Sequence, residues 1–105
     1  MTTYRQGDVF IEKIDSIPGR AKPVERDNGR VVLAYGEVTG HAHAFLGKGV
    51  RMFRDDGTNG GAYIQVDGPS ALTHEEHSAI TIPAGAYKVT RQLEYTPQAI
   101  RQVAD

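Results

Sequence analysis

The chain has 105 residues, of which twelve are basic, thirteen acidic and none cysteine. The near cancellation of charge gives no basic stripe for nucleic acid and no cationic face for an anionic membrane. The lack of cysteine excludes both a disulfide framework and a thiolate metal site, so any metal would be held by imidazole, carboxylate and water.

One domain spanning residues 1–105 is expected, with a single modest core. The first eight residues show no basic start leading into an apolar run, and no stretch approaches the roughly 20 apolar residues of a membrane helix. A cytoplasmic location is therefore expected by elimination.

In chain order, the first predicted strand is Asp8 to Ile14, ended by Pro18-Gly19 and a polar loop through Lys22, Pro23, Asp27, Asn28 and Gly29. Arg30 to Tyr35 is the second, with Val31, Leu33 and Tyr35 on one face. Gly36 bends the chain into an extended segment, Glu37 to Leu46. A short strand, Val50 to Phe53, follows the turn at Gly47 and Gly49, and Asp55 to Gly61 is the strongest turn signal of all. Tyr63 to Val66 and Ala79 to Ile82 are further strands, the second closed by Pro83-Ala84-Gly85.

Tyr87 to Tyr95 alternates most cleanly, with Tyr87, Val89, Arg91, Leu93 and Tyr95 on one side. Arg91 breaks that apolar row and should pair with a carboxylate or reach solvent at an edge. Thr96 as N-cap and Pro97 at the first helical position predict a short C-terminal helix docked by Ile100 and Val103. The whole reads as mainly β, a small β-barrel or sandwich with a short C-terminal helix.

All four histidines fall in two close pairs. In His41-Ala42-His43 an extended backbone points both imidazoles to one face, together with Phe45. In Thr73-His74-Glu75-Glu76-His77, Thr73 and Glu76 match a capping box, and a helical turn would put His74 and His77 on one face. The spacing of three is not that of the zinc-protease helix, which needs histidines four apart. Neutral imidazole suits Zn, Fe, Ni, Cu or Mn, so His41, His43, His74 and His77 are the candidate metal ligands. Three would leave an open position; four could close a structural site. Glu37, Thr39, Glu75 and Tyr63 are candidates to orient the rings. Glu75, left free once Glu76 caps the turn, is the candidate for acid–base work.

Gly36, His41-Ala-His43 and Pro83-Ala84-Gly85 together resemble elements of the cupin superfamily. The resemblance implies a small β-barrel with a metal, often Fe, Mn, Ni or Zn, in its mouth. It covers about a third of the chain and reaches only His41 and His43 among the ligands. Gly47 and Lys48 stand where cupins carry a glutamate ligand, and Lys88 stands where they carry the last histidine, which His74 or His77 would have to replace.

The glycine-rich turns are not phosphate loops, and no serine sits in a nucleophile elbow. Two readings follow. One is a metal-dependent enzyme acting on a small molecule. The other is a non-catalytic binding or interaction module whose histidines are structural or lie at an oligomer interface. A small barrel with free edges is expected to form a homodimer in either case.

Overall fold

The structure is a computed structural model that describes residues 2–36, 40–56 and 61–91. It is mainly β. Ten strands run in chain order as β1 (Thr3–Gln6), β2 (Val9–Ile14), β3 (Lys22–Val24), β4 (Val31–Tyr35), β5 (Ala42–Phe45), β6 (Val50–Asp55), β7 (Gly61–Val66), β8 (Ser70–Thr73), β9 (Ile80–Ile82) and β10 (Gly85–Arg91). A six-stranded sheet has the order β1-β2-β10-β7-β6-β3, and a four-stranded sheet the order β4-β5-β8-β9. Every pairing is antiparallel.

Of the barrel or sandwich that was expected, these strands form two separate sheets and not a closed barrel. Both sheets are open, because β1 and β3 do not pair with each other and neither do β4 and β9. The terminal strands are short: β3 and β9 have three residues each, too few to carry a ladder around a closed cylinder. The C-terminal helix expected from Thr96 and Pro97, with the outer half of the Tyr87 to Tyr95 alternation, lies outside the described residues, as do Glu37 and Thr39. No helix among the described residues is long and apolar enough to cross a membrane.

One apolar core draws from both sheets. Val9, Ile11, Val50, Met52, Ile64, Val66, Tyr87 and Val89 come from the larger sheet, and Val31, Phe45, Leu72 and Ile82 from the smaller. The alternation along β10 is realised: Tyr87 and Val89 are buried while Lys88 and Thr90 are exposed. Arg91 finds its carboxylate, donating from Nε to Asp8 at 2.7 Å, although β10 lies between β2 and β7 and is no edge.

Three strands were not expected. β1 has only one buried side chain, Gln6. β3 holds Pro23 at the sheet edge, where its missing N–H does no harm. β8 pairs with β5 and β9. The Gly7-Asp8 turn between β1 and β2 has Gly7 at φ 59°, the first position of a II′-type hairpin.

Candidate metal centre

The four imidazoles converge. The ring of His43 lies 4.4 Å from that of His74 and 5.8 Å from that of His77, centroid to centroid. His74 is 5.9 Å from His41 and 4.7 Å from His77. The cluster forms where the β1–β2 turn of the larger sheet meets β5 and the β8–β9 loop of the smaller. His41 directly precedes β5 and His43 lies within it, so strand geometry turns both rings to one side. The pair from 74 to 77 arrives by a different route from the one its sequence suggests.

No helical turn forms at residues 73–77. Thr73 belongs to β8, opposite Ala44, and its hydroxyl donates to the Ala44 carbonyl at 3.1 Å. It is therefore not free to cap. His74 takes over: its Nδ1 accepts from the backbone N–H of Glu76 at 3.0 Å and, more loosely, of His77 at 3.4 Å. The loop is closed by an imidazole in the manner of an Asx turn.

Glu75 is also engaged, its Oε1 accepting from the Ala42 N–H at 2.8 Å. That hydrogen bond, followed by one from its own backbone N–H, holds the carboxyl below the usual glutamate range. Glu75 thus fastens the loop to β5 as a carboxylate. Glu76, released from capping, stands with Oε1 3.6 Å from His41 Nδ1. Tyr63, on β7, has its hydroxyl packed toward Gly61 rather than toward the rings.

Two residues outside the expected set complete the surroundings. Gln6, 3 % exposed, donates from Nε2 to the carbonyls of Leu72 at 2.9 Å and Ser78 at 3.0 Å. Only the amide nitrogen can donate, so its Oε1 is the atom that faces His43 Nδ1 at 2.8 Å. A neutral His43 therefore carries its proton on Nδ1 and leaves Nε2 as a lone pair. Burial, and then the neighbouring His74, push the His43 pKa down, favouring that neutral form. Asp8 is the second addition, with Oδ1 3.6 Å from His43 Nε2. Partial burial raises its pKa, but the Arg91 guanidinium more than offsets this and leaves it below the ordinary aspartate value. The Gly7-Asp8 turn is the one sequence signal that could have led to both residues.

Among the described residues, no three histidine, aspartate or glutamate side chains stand in an arrangement that could hold a metal ion. Hydrogen bonding also sets two of the rings apart. His74 Nδ1 is committed as an acceptor to the loop backbone, so the proton of its neutral ring sits on Nε2. The neutral His43 ring leaves a lone pair at Nε2, whereas the neutral His74 ring has a proton there.

A two-sheet β domain with a seam of four histidines is thus what the fold and site define. Residues 5–92 match the family model described as Domain of unknown function (DUF8820). The match covers most of the chain, and the protein belongs to that family. No curated protein and no solved structure matches it.

Proposed function

We propose that the chain is a small metal-binding domain in which His41, His43 and His77, with His74 where it gives up its loop bonds, hold a divalent transition metal such as Zn, Fe, Ni or Mn. The observation that carries this reading is the convergence of four rings from two distant segments, within 6 Å of one another where paired. In the neutral His43 ring Gln6 holds the proton on Nδ1, which leaves Nε2 as a lone pair. A metal held there would act as a Lewis acid toward a small molecule. A cavity of about 630 Å³ lined by Val9, Leu33, Arg54, Ala62 and Arg91 is the nearest candidate pocket through Arg91, although none of the four histidines lines it. Arg91 links the cavity to Asp8 and so to His43. The His-x-His pair at the start of β5, and Pro83-Ala84-Gly85 leading from β9 into β10, support a cupin-like reading of the fold. The open sheet edges would serve a homodimer, and the working compartment is the cytoplasm.

One observation favours a second reading. His74 and His43 each make hydrogen bonds that hold the loop and the two sheets together. On that view the histidines are structural, and the chain is a non-catalytic binding module.

Metal analysis of purified chain after incubation with Zn, Fe, Ni or Mn separates the two. The metal reading expects about one ion per chain, lost in His77→Ala and His43→Asn. Wild-type chain that emerges from gel filtration without metal sinks it.

A further inference from the structure

The cavity of about 630 Å³ lies at one end of the larger sheet, where Leu33 of β4 comes over it. Strand register sets what faces it. Val89 stands opposite Ala62, and Ala62 opposite Arg54, so these three lie abreast on one face of β10, β7 and β6. Arg91, two residues beyond Val89, shares that face and stands opposite Val9 on β2. Val9 and Val89 belong to the core, and Ala62 and Leu33 pack against it. Arg54 and Arg91 are thus on the core-facing side of the sheet, at the end where the core runs out, and both are exposed. Two strand spacings put them about 10 Å apart across the sheet.

The two guanidiniums differ in their partners. Arg91 Nε donates to Asp8 at 2.7 Å. Arg54 makes no ion pair and no side-chain hydrogen bond among the described residues. Its neighbour Asp55 turns to the other side of β6, where Arg20 Nε donates to it at 2.5 Å. With those two pairs set aside, the charged residues lining the cavity are Arg54 and Lys88 against Asp56, which leaves a single positive charge.

Pockets for small ligands run to roughly 300–1,000 Å³ and combine apolar walls with a few placed polar groups. Here the walls are aliphatic and the placed group is a guanidinium. Its fork takes both oxygens of a carboxylate, and apolar surroundings strengthen such bonds. A phosphate monoester carries about −1.5 to −2 at neutral pH, more than this lining offsets, and Asp56 would repel the excess.

Resting on the reading of this cavity as a small-molecule pocket, but not on a metal at the histidine seam, we propose that it binds a small monocarboxylate with an apolar body. Arg54 grips the carboxylate, Leu33, Ala62 and Val89 cover the body, and Arg91, held by Asp8, closes the other side.

Two-dimensional amide NMR of the purified full chain, titrated with hexanoate in the presence of EDTA, tests this. The chelator removes any ion at the seam, so binding that persists is not ligation to a metal. Hexanoate is expected to shift the amides of Leu33, Ala62 and Val89 saturably and to leave those of His74 and His77 in place. Arg54→Gln is expected to weaken binding about tenfold or more with an otherwise native spectrum, and Arg54→Lys to weaken it less. Hexanol, which has the same body without the charge, should bind more weakly than hexanoate by a similar factor, and inorganic phosphate should not move these amides. Hexanoate that leaves the three amides unmoved, an Arg54→Gln chain that binds like wild type, hexanol that binds as tightly as hexanoate, or phosphate that shifts the same amides overturns the assignment and leaves the metal reading intact. A chain that takes up hexanoate but no metal supports this site and fails the metal reading alone.

Discussion

Gly7 and His74 show how single residues fix the seam. Gly7 has a left-handed φ of 59°, and its missing side chain leaves the space that His77 and His43 occupy. Gly29 has a similar φ of 79°, but a Cβ there would meet nothing within 4 Å. Gly29→Ala should therefore cost only the left-handed backbone penalty, about 1 kcal/mol. Gly7→Ala should cost that plus the displacement of two rings, so its melting temperature should fall further than that of Gly29→Ala, with metal affinity falling too. Equal losses in the two variants would show that the rings do not lean on the turn. His74 makes a different prediction. If its work is to accept from the loop backbone, Asn can do the same. His74→Asn should keep metal affinity within about threefold, whereas His77→Asn should lose about tenfold or more. Isothermal titration of both variants settles the division of labour, and a His74→Asn loss as large as that of His77→Asn would make His74 a ligand.

Elements with a buried face are those the sequence announces. β10 is legible because Tyr87 and Val89 alternate with exposed Lys88 and Thr90, and β2 because Val9 and Ile11 are fully buried. β1 and β3 carry too little apolar side chain to announce themselves, and their pairing is imposed by β2 and β6. The histidine pairs were visible from spacing alone. Their partners Gln6 and Asp8 were not, since nothing local in Gln6-Gly7-Asp8 marks them except the turn they flank. The expected capping box failed because Thr73 extends β8, a tertiary pairing that overrides a local motif. Its failure leaves Glu75 as the fastener of the loop. Glu75→Gln keeps an acceptor for the Ala42 N–H, and Glu75→Ala does not. Hydrogen exchange at Ala42 should quicken roughly tenfold in the Ala variant, one hydrogen bond's worth, and stay near wild type in Gln. A metal-loaded chain that turns over a substrate but loses all activity in Glu75→Gln would instead assign Glu75 to proton transfer.

At the scale of the whole molecule, stability and the seam are coupled through the two sheets but do not have the same source. Tyr87 illustrates the first: it is 1 % exposed, and its hydroxyl donates to the Pro83 carbonyl at 2.7 Å. Burial, with Tyr4 adding to it, raises the phenol pKa. An unfolded tyrosine ionises near 10, so the stabilisation is complete below about pH 10 and is lost as pH rises through the higher folded value. Urea midpoints at about pH 8 and about pH 11 should fall more for wild type than for Tyr87→Phe. The Phe variant should itself start about 1 kcal/mol lower for want of the hydrogen bond. The seam acts by linkage instead. The rings belong to the smaller sheet and its β8–β9 loop, while Gln6 and Gly7 of the larger sheet pack directly against them, so an ion bound at the rings would favour the docked state of both. At a free metal concentration of about a hundred times Kd the gain is about 2.7 kcal/mol, or on the order of 10–20 °C in melting temperature for a domain of this size. The core that joins the sheets, from Val9 and Ile11 to Phe45 and Leu72, is apolar and fully buried without any contribution from the rings. A chelated chain should therefore still melt in one cooperative step, only at lower temperature. Loss of cooperative melting on chelation would mean that metal binding energy is folding energy, and that the apolar core alone does not hold the two sheets together.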